Sequence, residues 1–284
     1  MFRILLLLLV FSTSLSAQFR LDSIFRSSER YAVNPLVSLP AIALGGWGSQ
    51  QRLLSLQDKP ELTPAEIAAL DPNDVNRFDR IALRRDVDRH KQAIIESDYF
   101  FNAGQVLPFG LFIWKKYRRD WFDITMMYLE SQVTQGLFYG FAPFGPTSVD
   151  RYRPRVYYVN ELPVESRRDG NQRNSMFSGH VSTAATGFYF FARMLDDYNP
   201  QFTGTQRALL YTAATLPSVY AGWLRVKGLK HYPTDVFVGL GVGALSGIGV
   251  PSVHKWWKQR HRSRLSLRPV YGSGAGGLVL NLRY

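Results

Sequence analysis

The stretch Leu-Arg-Val-Lys-Gly-Leu-Lys-His-Tyr-Pro-Thr-Asp occupies residues 224–235 and joins two apolar segments. Within it, Arg225, His231 and Asp235 follow the pattern Arg-x5-His-x3-Asp. His231 and Asp235 are four residues apart at a predicted helix start, so they share one helix face. A carboxylate at that spacing can accept the Nδ1 proton of the imidazole and leave Nε2 free as a nucleophile or base. The stretch therefore predicts a catalytic histidine at the end of an apolar helix.

Two upstream segments carry residues suited to phosphate chemistry. Residues 178–180 read Ser-Gly-His and open an apolar segment, and residues 151–154 read Arg-Tyr-Arg-Pro after another. Ser178 and the backbone N–H groups near Gly179 lie at a predicted helix N-terminus, which favours anions. Gly179 also lets the backbone approach a ligand closely. His180 can donate a proton to a leaving oxygen.

Arginine supplies the positive charge of this candidate site. The planar guanidinium groups of Arg153 and Arg225 match the oxygens of a phosphoryl group. Residues 143–179 contain further arginines and no lysine, which predicts a phosphate-binding surface. A metal site is not predicted, because only two histidines and one aspartate converge and no His-x-x-x-His pair occurs.

Composition excludes several other classes. The 284 residues include 34 Lys+Arg, 22 Asp+Glu and no Cys, which gives a formal net charge of +12. The absence of Cys excludes a disulfide scaffold, a thiolate metal site and a catalytic cysteine. The positive charge is compatible with nucleic acid, an anionic membrane or phosphorylated substrates. No basic stripe with interleaved aromatic residues supports nucleic acid as the partner.

The apolar segments predict an all-α fold. Five of them cover residues 99–114, 121–142, 180–195, 208–224 and 236–250. All but the second are near or below the length that crosses about 30 Å of hydrocarbon. Gly239, Gly243 and Gly247 recur at four-residue spacing, which places three glycines on one helix face for close packing. We expect a membrane helical bundle of five to six helices, and a soluble all-helical bundle is the alternative.

The distribution of basic residues predicts the orientation. One cluster, Lys115–Arg119, follows the first apolar segment, and a second, His254–Arg264, follows the last and includes Trp256 and Trp257. With five spans and an external N-terminus, both clusters lie on the cytoplasmic side, as the positive-inside bias requires. The three motif segments then all face the opposite side.

The rest of the chain divides into flanking segments. Residues 1–17 have the features of a cleaved secretory signal peptide. Residues 18–97 are mostly polar, with a predicted capping box at Thr63, an amphipathic helix from Val75 to Leu83, and an apolar stretch, Pro35–Trp47, that could pack as a partial helix. The helical domain is assigned to residues 98–252, and a basic tail with a short C-terminal β-hairpin to residues 253–284.

These motifs resemble those of the phosphatidic acid phosphatase type 2 superfamily, in its membrane lipid phosphatase branch. The family pattern is Lys-x6-Arg-Pro, then Pro-Ser-Gly-His, then Ser-Arg-x5-His-x3-Asp. Its counterparts here are Arg153-Pro154, Phe177–His180 and Leu224–Asp235, within a resemblance that covers about residues 95–250. Pro146 stands where the family has its Lys, Phe177 replaces Pro, and Leu224 replaces Ser.

The resemblance implies a phosphohistidine mechanism that needs no metal or other cofactor. His231 would attack phosphorus, Asp235 would orient it, and His180 would protonate the leaving group. The phosphate-binding residues implied are Arg153, Arg225, Ser178, Gly179 and Arg151. Arg151 is the nearest candidate for the charge of the missing family Lys, and Lys227 and Lys230 are the alternatives.

The implied activity is hydrolysis of a phosphomonoester or diphosphate of a lipid. Candidate substrates are undecaprenyl diphosphate, a lipid A phosphate, phosphatidate and phosphatidylglycerol phosphate. The implied location is the bacterial inner membrane, as a multi-pass protein with its active site facing the periplasm. Two alternatives stay open: a soluble periplasmic acid phosphatase with the same site, and a non-catalytic, phospholipid-binding pseudo-phosphatase suggested by Pro146.

Overall fold

The computed structural model describes residues 28–260, 265–272 and 275–282, the last two ranges as backbone. Its long helices are α1 (Pro35–Ser55), α2 (His90–Val106), α3 (Trp121–Phe141), α4 (Gly179–Asp197), α5 (Gly204–Lys227) and α6 (Pro233–Arg260). Short helical segments lie between them at Pro64–Ala68, Pro72–Asp74, Asp79–Leu83, Leu107–Ile113, Lys115–Arg118, Pro154–Tyr157, Val164–Arg168 and Gly170–Arg173. Two antiparallel strands follow, β1 (Leu265–Gly272) and β2 (Ala275–Leu282). The signal-peptide prediction for residues 1–17 lies outside the described residues.

The apolar stretch from Pro35 to Trp47 is part of a complete helix. Asn34 caps α1 by accepting a hydrogen bond from the Leu36 amide, and Pro35 occupies the first turn, where its missing N–H costs nothing. α1 packs along α3, and a Cβ atom at Gly45 would lie 2.5 Å from Val133. The helical bundle therefore begins before residue 98, because Pro35–Ser55 supplies its first helix.

α4 is the centre of the bundle and contacts α2, α3, α5 and α6. The predicted close packing of the α6 glycines is confirmed. A Cβ atom at Gly239, Gly243 or Gly247 would lie 2.4–2.6 Å from a backbone oxygen of Ser178, Ser182 or Thr186. The absence of side chains at these three positions lets α6 lie directly against the backbone of α4.

The helices alternate in direction, so the bundle has two distinct ends. The starts of α4 and α6 meet at one end, where the Ser178 amide donates to the Asp235 carbonyl at 3.0 Å. At the other end, the Ala32 amide donates to the His254 carbonyl, and Lys255 pairs with Asp197 at 2.6 Å. Residues 28–34 thus lie at the end that carries the basic clusters, far from the sequence motifs.

The segment between α1 and α2 covers the motif end of the bundle. The predicted capping box is confirmed, because Thr63 and Glu66 satisfy each other's backbone N–H groups. The predicted amphipathic helix is wrong in form, since only the short 3₁₀ segment Asp79–Leu83 is helical there. Val75 is buried against the core, whereas Phe78 is 55% exposed, so the apolar stripe is not buried as one face.

By length and composition, α6 is the one helix in the described part of the chain that could cross a membrane. Of the five predicted spans, only the last one, in α6, meets this criterion within the described residues. The first predicted span, 99–114, is divided between the end of α2 and the 3₁₀ segment Leu107–Ile113.

The glycine contacts between α4 and α6 predict opposite effects of the same substitution two residues apart. Gly243→Ala should lower the free energy of unfolding by about 1–3 kcal/mol, because its Cβ collides with the Ser182 carbonyl. Gly241→Ala is the matched control, since nothing lies within 4 Å of its Cβ position. It should raise the free energy of unfolding by about 0.5–1 kcal/mol through helix propensity. Thermal unfolding of the purified variants measures both, and equal effects would contradict this packing.

Candidate active site

The motif end gathers the predicted catalytic residues around the start of α6. His231 and Asp235 are buried, at 2% and 0% exposure. Burial, aided by the neighbouring cations Arg153 and Arg225 and opposed by Asp235, lowers the pKa of His231 to about 4. His231 is therefore neutral at physiological pH, which is the state that a nucleophilic imidazole requires.

The atom that orients His231 is not the predicted one. Nδ1 of His231 lies 2.7 Å from the backbone carbonyl oxygen of Ser175, whereas Asp235 Oδ2 is 3.7 Å away. A carbonyl can only accept, so Nδ1 carries the proton and Nε2 presents its lone pair. Asp235 acts on His231 indirectly, through Ser175, because its Oδ2 accepts a 2.6 Å hydrogen bond from the Ser175 hydroxyl. Asp235 thus holds Ser175, whose carbonyl orients His231.

Arg151 is not placed to bind phosphate as expected. Its two terminal nitrogens donate to Asp79, at 2.6 Å, and to Asp235, and its guanidinium lies over the Tyr232 ring. Asp79 also accepts from the Thr234 amide and hydroxyl, at 3.0 and 2.7 Å. Arg151 is therefore held between two buried carboxylates, and it fixes Asp235 rather than a ligand.

Arg153 and Arg225 have the opposite character. They are buried, at 6% and 5% exposure, and the Nε atom of each has no hydrogen-bond partner, nor does the buried hydroxyl of Ser178. Burial lowers the pKa of Arg153, because a buried cation without a neighbouring anion is unfavourable. Unsatisfied donors beside a neutral histidine form a site for a bound oxyanion.

The N-terminus of α4 contributes as the motif predicts, with one difference. Ser178 precedes the helix but makes no capping hydrogen bond, so its hydroxyl is not used by the helix itself. A Cβ atom at Gly179 would lie 3.0 Å from the Tyr139 ring, so the close approach observed there is to a side chain. His180 is in the first turn of α4, with Nε2 3.0 Å from Oδ1 of Asp98.

The position of the missing family Lys is filled by other contacts. The carbonyl of Pro146 accepts a hydrogen bond from Lys59 Nζ at 2.7 Å, and Lys59 also pairs with Asp150. Of the candidate replacements, Lys227 is exposed and its ammonium lies 5.7 Å from the Trp223 ring centroid. Lys230 adjoins the site, since its backbone amide donates to the Arg225 carbonyl at 3.1 Å. Burial, with the charges of Arg153, Arg155 and Arg225, lowers the pKa of the Lys230 ammonium to about 7.

Sequence reasoning missed Ser175, Asp79 and Asp98. Ser175 acts mainly through its backbone carbonyl, which carries no sequence signal. Asp79 and Asp98 lie outside every motif, and only the folded chain brings them to Arg151 and His180. Within the described residues, no group of three or more His, Cys, Asp or Glu side chains is placed to hold a metal ion.

Comparison with known families identifies the domain. Residues 124–259 match the model of the PAP2 superfamily, a segment that begins in α3 and includes nearly all of α6. α1 and α2 lie before the matched segment. No curated protein and no solved structure is significantly similar to the chain. Residues 124–259, which contain the buried histidine, the arginine pair and the Ser-Gly-His helix start, thus match the PAP2 superfamily, whose members are phosphoric ester hydrolases.

Proposed function

We propose that this protein is a membrane-bound phosphatase that hydrolyses a phosphomonoester or diphosphate of a lipid through a phosphohistidine at His231. The observation that carries the proposal is the set of buried, unsatisfied donors on Arg153, Arg225 and Ser178 beside a neutral histidine of fixed tautomer. The candidate substrates remain undecaprenyl diphosphate, a lipid A phosphate, phosphatidate and phosphatidylglycerol phosphate.

In the first step, Nε2 of His231 attacks phosphorus and the bond from phosphorus to the leaving oxygen breaks. His180 gives its proton to that oxygen, so the product leaves as an alcohol or a phosphate. Arg153, Arg225 and the Ser178 hydroxyl hold the equatorial oxygens, whose charge must be stabilised in the transition state. Lys230 is the ammonium that adds charge in place of the family Lys, and bound phosphate favours its protonated form.

In the second step, water attacks the phosphohistidine. His180, now neutral, takes a proton from that water, and the bond between phosphorus and Nε2 breaks to release inorganic phosphate. Nδ1 of His231 keeps its proton throughout and donates it in a hydrogen bond to the Ser175 carbonyl oxygen. Both histidines return to their starting states, and no group besides water is consumed.

Exposed apolar side chains support the membrane part of the proposal. Several project from outer faces of the bundle, among them Leu36, Val37, Leu44, Trp47, Leu209, Leu216, Val219, Phe237, Leu245 and Val253. A soluble monomer rarely exposes so many large apolar residues along adjacent helices. A hydrocarbon environment accounts for them, and it also accounts for glycine packing between α4 and α6.

The proposed topology has six crossings, one more than the sequence predicts: α1 to α5 would cross packed together with α6, which among the described helices is the one long and apolar enough by itself. Residues 28–34 and the end of α6 then lie on the same, cytoplasmic side, with the basic cluster Lys115–Arg119. The site faces the periplasm.

The nucleophile is tested by His231→Ala. Purified protein in detergent, with EDTA present, should release phosphate from at least one lipid of a panel of the candidates. His231→Ala should lower kcat/KM by about a thousandfold or more, since no other group can form the covalent intermediate. An alkaline quench of wild type with ³²P-labelled substrate should trap an acid-labile phosphoprotein that the variant lacks. Equal activity of both proteins, or a trapped phosphoprotein in His231→Ala, would rule out this mechanism.

The low pKa of His231 predicts the acid limb of the pH profile. In the proposed mechanism the neutral ring is the nucleophile. Activity should therefore be retained as the pH falls, and it should be lost only when the pH passes below the pKa of His231, at about 4. An unperturbed histidine would give that limb near about 6.5. The measurement is kcat/KM against pH, corrected for ionisation of the substrate. A limb near 6.5 would contradict the burial of a neutral His231.

Reporter fusions test the topology. Reporters at Arg30 and after Lys258 should both be cytoplasmic, and one at Asp169 should be periplasmic, if six helices cross. A five-span topology with an external N-terminus places Arg30 and Lys258 on opposite sides instead. Release of the protein from membranes by a carbonate wash would contradict both and favour the soluble acid phosphatase.

A further inference from the structure

α2 lies outside the segment that matches the superfamily, yet two of its residues hold His180. Asp98 Oδ1 is 3.0 Å from Nε2 of His180, and the Phe101 ring lies against the imidazole with centroids 4.6 Å apart. Asp98 and Phe101 are three residues apart, so they project from one face of α2. The imidazole is thus contacted at its edge by a carboxylate and on its face by an aromatic ring.

The contact with Asp98 selects one ring nitrogen of His180 for chemistry. An ionised carboxylate only accepts, so Nε2 carries the proton that points at Asp98. Nδ1 is then the nitrogen that can give a proton to the leaving oxygen and later take one from water. A His180 that turned freely would present either nitrogen, and only one of them can be aligned with the leaving group.

Charge gives Asp98 a second role. The groups that bear electrostatically on His180 are Arg225 on α5, Arg153 and Lys230 in the adjoining loops, His231 before α6, and Asp98 on α2. Three of these are cations, which oppose a positive charge on His180. The carboxylate of Asp98 opposes them, and it does so in direct contact with the ring.

We propose that Asp98 is a positioning residue that makes His180 an effective general acid, and that it thereby sets the preference of the enzyme for poor leaving groups. The proposal rests on the phosphatase function above. The imidazolium gives its Nδ1 proton to the departing alkoxide or phosphate, while the second proton stays on Nε2 and is donated in a hydrogen bond to Asp98. In the second step, Nδ1 takes a proton from water and the pair is restored.

A direct effect of Asp98 on phosphate binding is the competing role, and it makes a different prediction. Asp98 Oδ1 is 3.9 Å from Nη1 of Arg225, which also donates to the Ser97 hydroxyl at 3.2 Å. If Asp98 acted by holding Arg225, its loss would weaken the hydrolysis of every phosphate ester to a similar extent. If it acts through His180, the loss depends on how much the leaving group needs a proton.

The first test is Asp98→Asn with two substrates, using the full-length protein in detergent. For an alkyl phosphate, kcat/KM should fall about 10- to 100-fold, because the alkoxide must be protonated. For p-nitrophenyl phosphate, whose leaving group needs no proton, kcat/KM should stay within about threefold. In the dependence of kcat/KM on pH for the alkyl phosphate, the basic limb should also lie at lower pH in Asp98→Asn than in wild type. The control is Glu96→Gln, on the same helix, where Glu96 accepts a hydrogen bond from Gln92. It should leave kcat/KM unchanged for both substrates.

A second measurement does not depend on turnover. In ¹⁵N-histidine-labelled protein with inorganic phosphate, the Nε2 of His180 should be protonated, and the ring should titrate at lower pH in Asp98→Asn than in wild type. Equal losses on both substrates, or an unchanged titration, would overturn the role of Asp98. Failure of the phosphatase proposal would appear separately, as absence of any hydrolysis that depends on His231.

Discussion

The Asp235 carboxylate is the constraint around which the site is built. It is fully buried, and an ionised carboxylate can be held there only if its oxygens are paired. Arg151, the Ser175 hydroxyl and the Tyr232 amide provide this pairing. These contacts fix the loop before α4 against the start of α6, and they leave the Ser175 carbonyl beside His231. The position of the nucleophile is therefore a consequence of how one buried charge is satisfied.

Arg153 is not satisfied in this way. Arg151 meets two carboxylates, whereas Arg153 meets only the neutral oxygens of Asn171 and Asn174, at 3.2 and 3.3 Å. The Asp235 carboxylate is thus compensated by the protein, and the charge of Arg153 is left for a ligand. Because a buried, poorly paired cation costs several kcal/mol, binding of a phosphate group recovers free energy that folding has spent.

The fold and the motif residues could be predicted because apolar segments and spaced polar residues leave a direct trace in the sequence. His231, His180, Arg153, Arg225 and Ser178 all meet at one end of the helices. Arg151 could not be assigned, since its partner Asp79 is more than 70 residues away and belongs to a segment without a motif. α1 was underestimated because Gly45, Gly46 and Gly48 lower its apolar content while allowing it to pack on α3.

The two histidines are held in complementary states by acceptors that carry no proton. Ser175 binds Nδ1 of His231 and leaves Nε2 to react, whereas Asp98 binds Nε2 of His180 and leaves Nδ1. Burial keeps His231 neutral, and the cations that add to this effect, Arg153 and Arg225, also oppose protonation of His180 when no phosphate is bound. A phosphate dianion neutralises those cations, so its arrival favours the protonated His180 next to Asp98. In the proposed mechanism, substrate binding thus prepares His180 as the general acid, while burial keeps His231 neutral as the nucleophile.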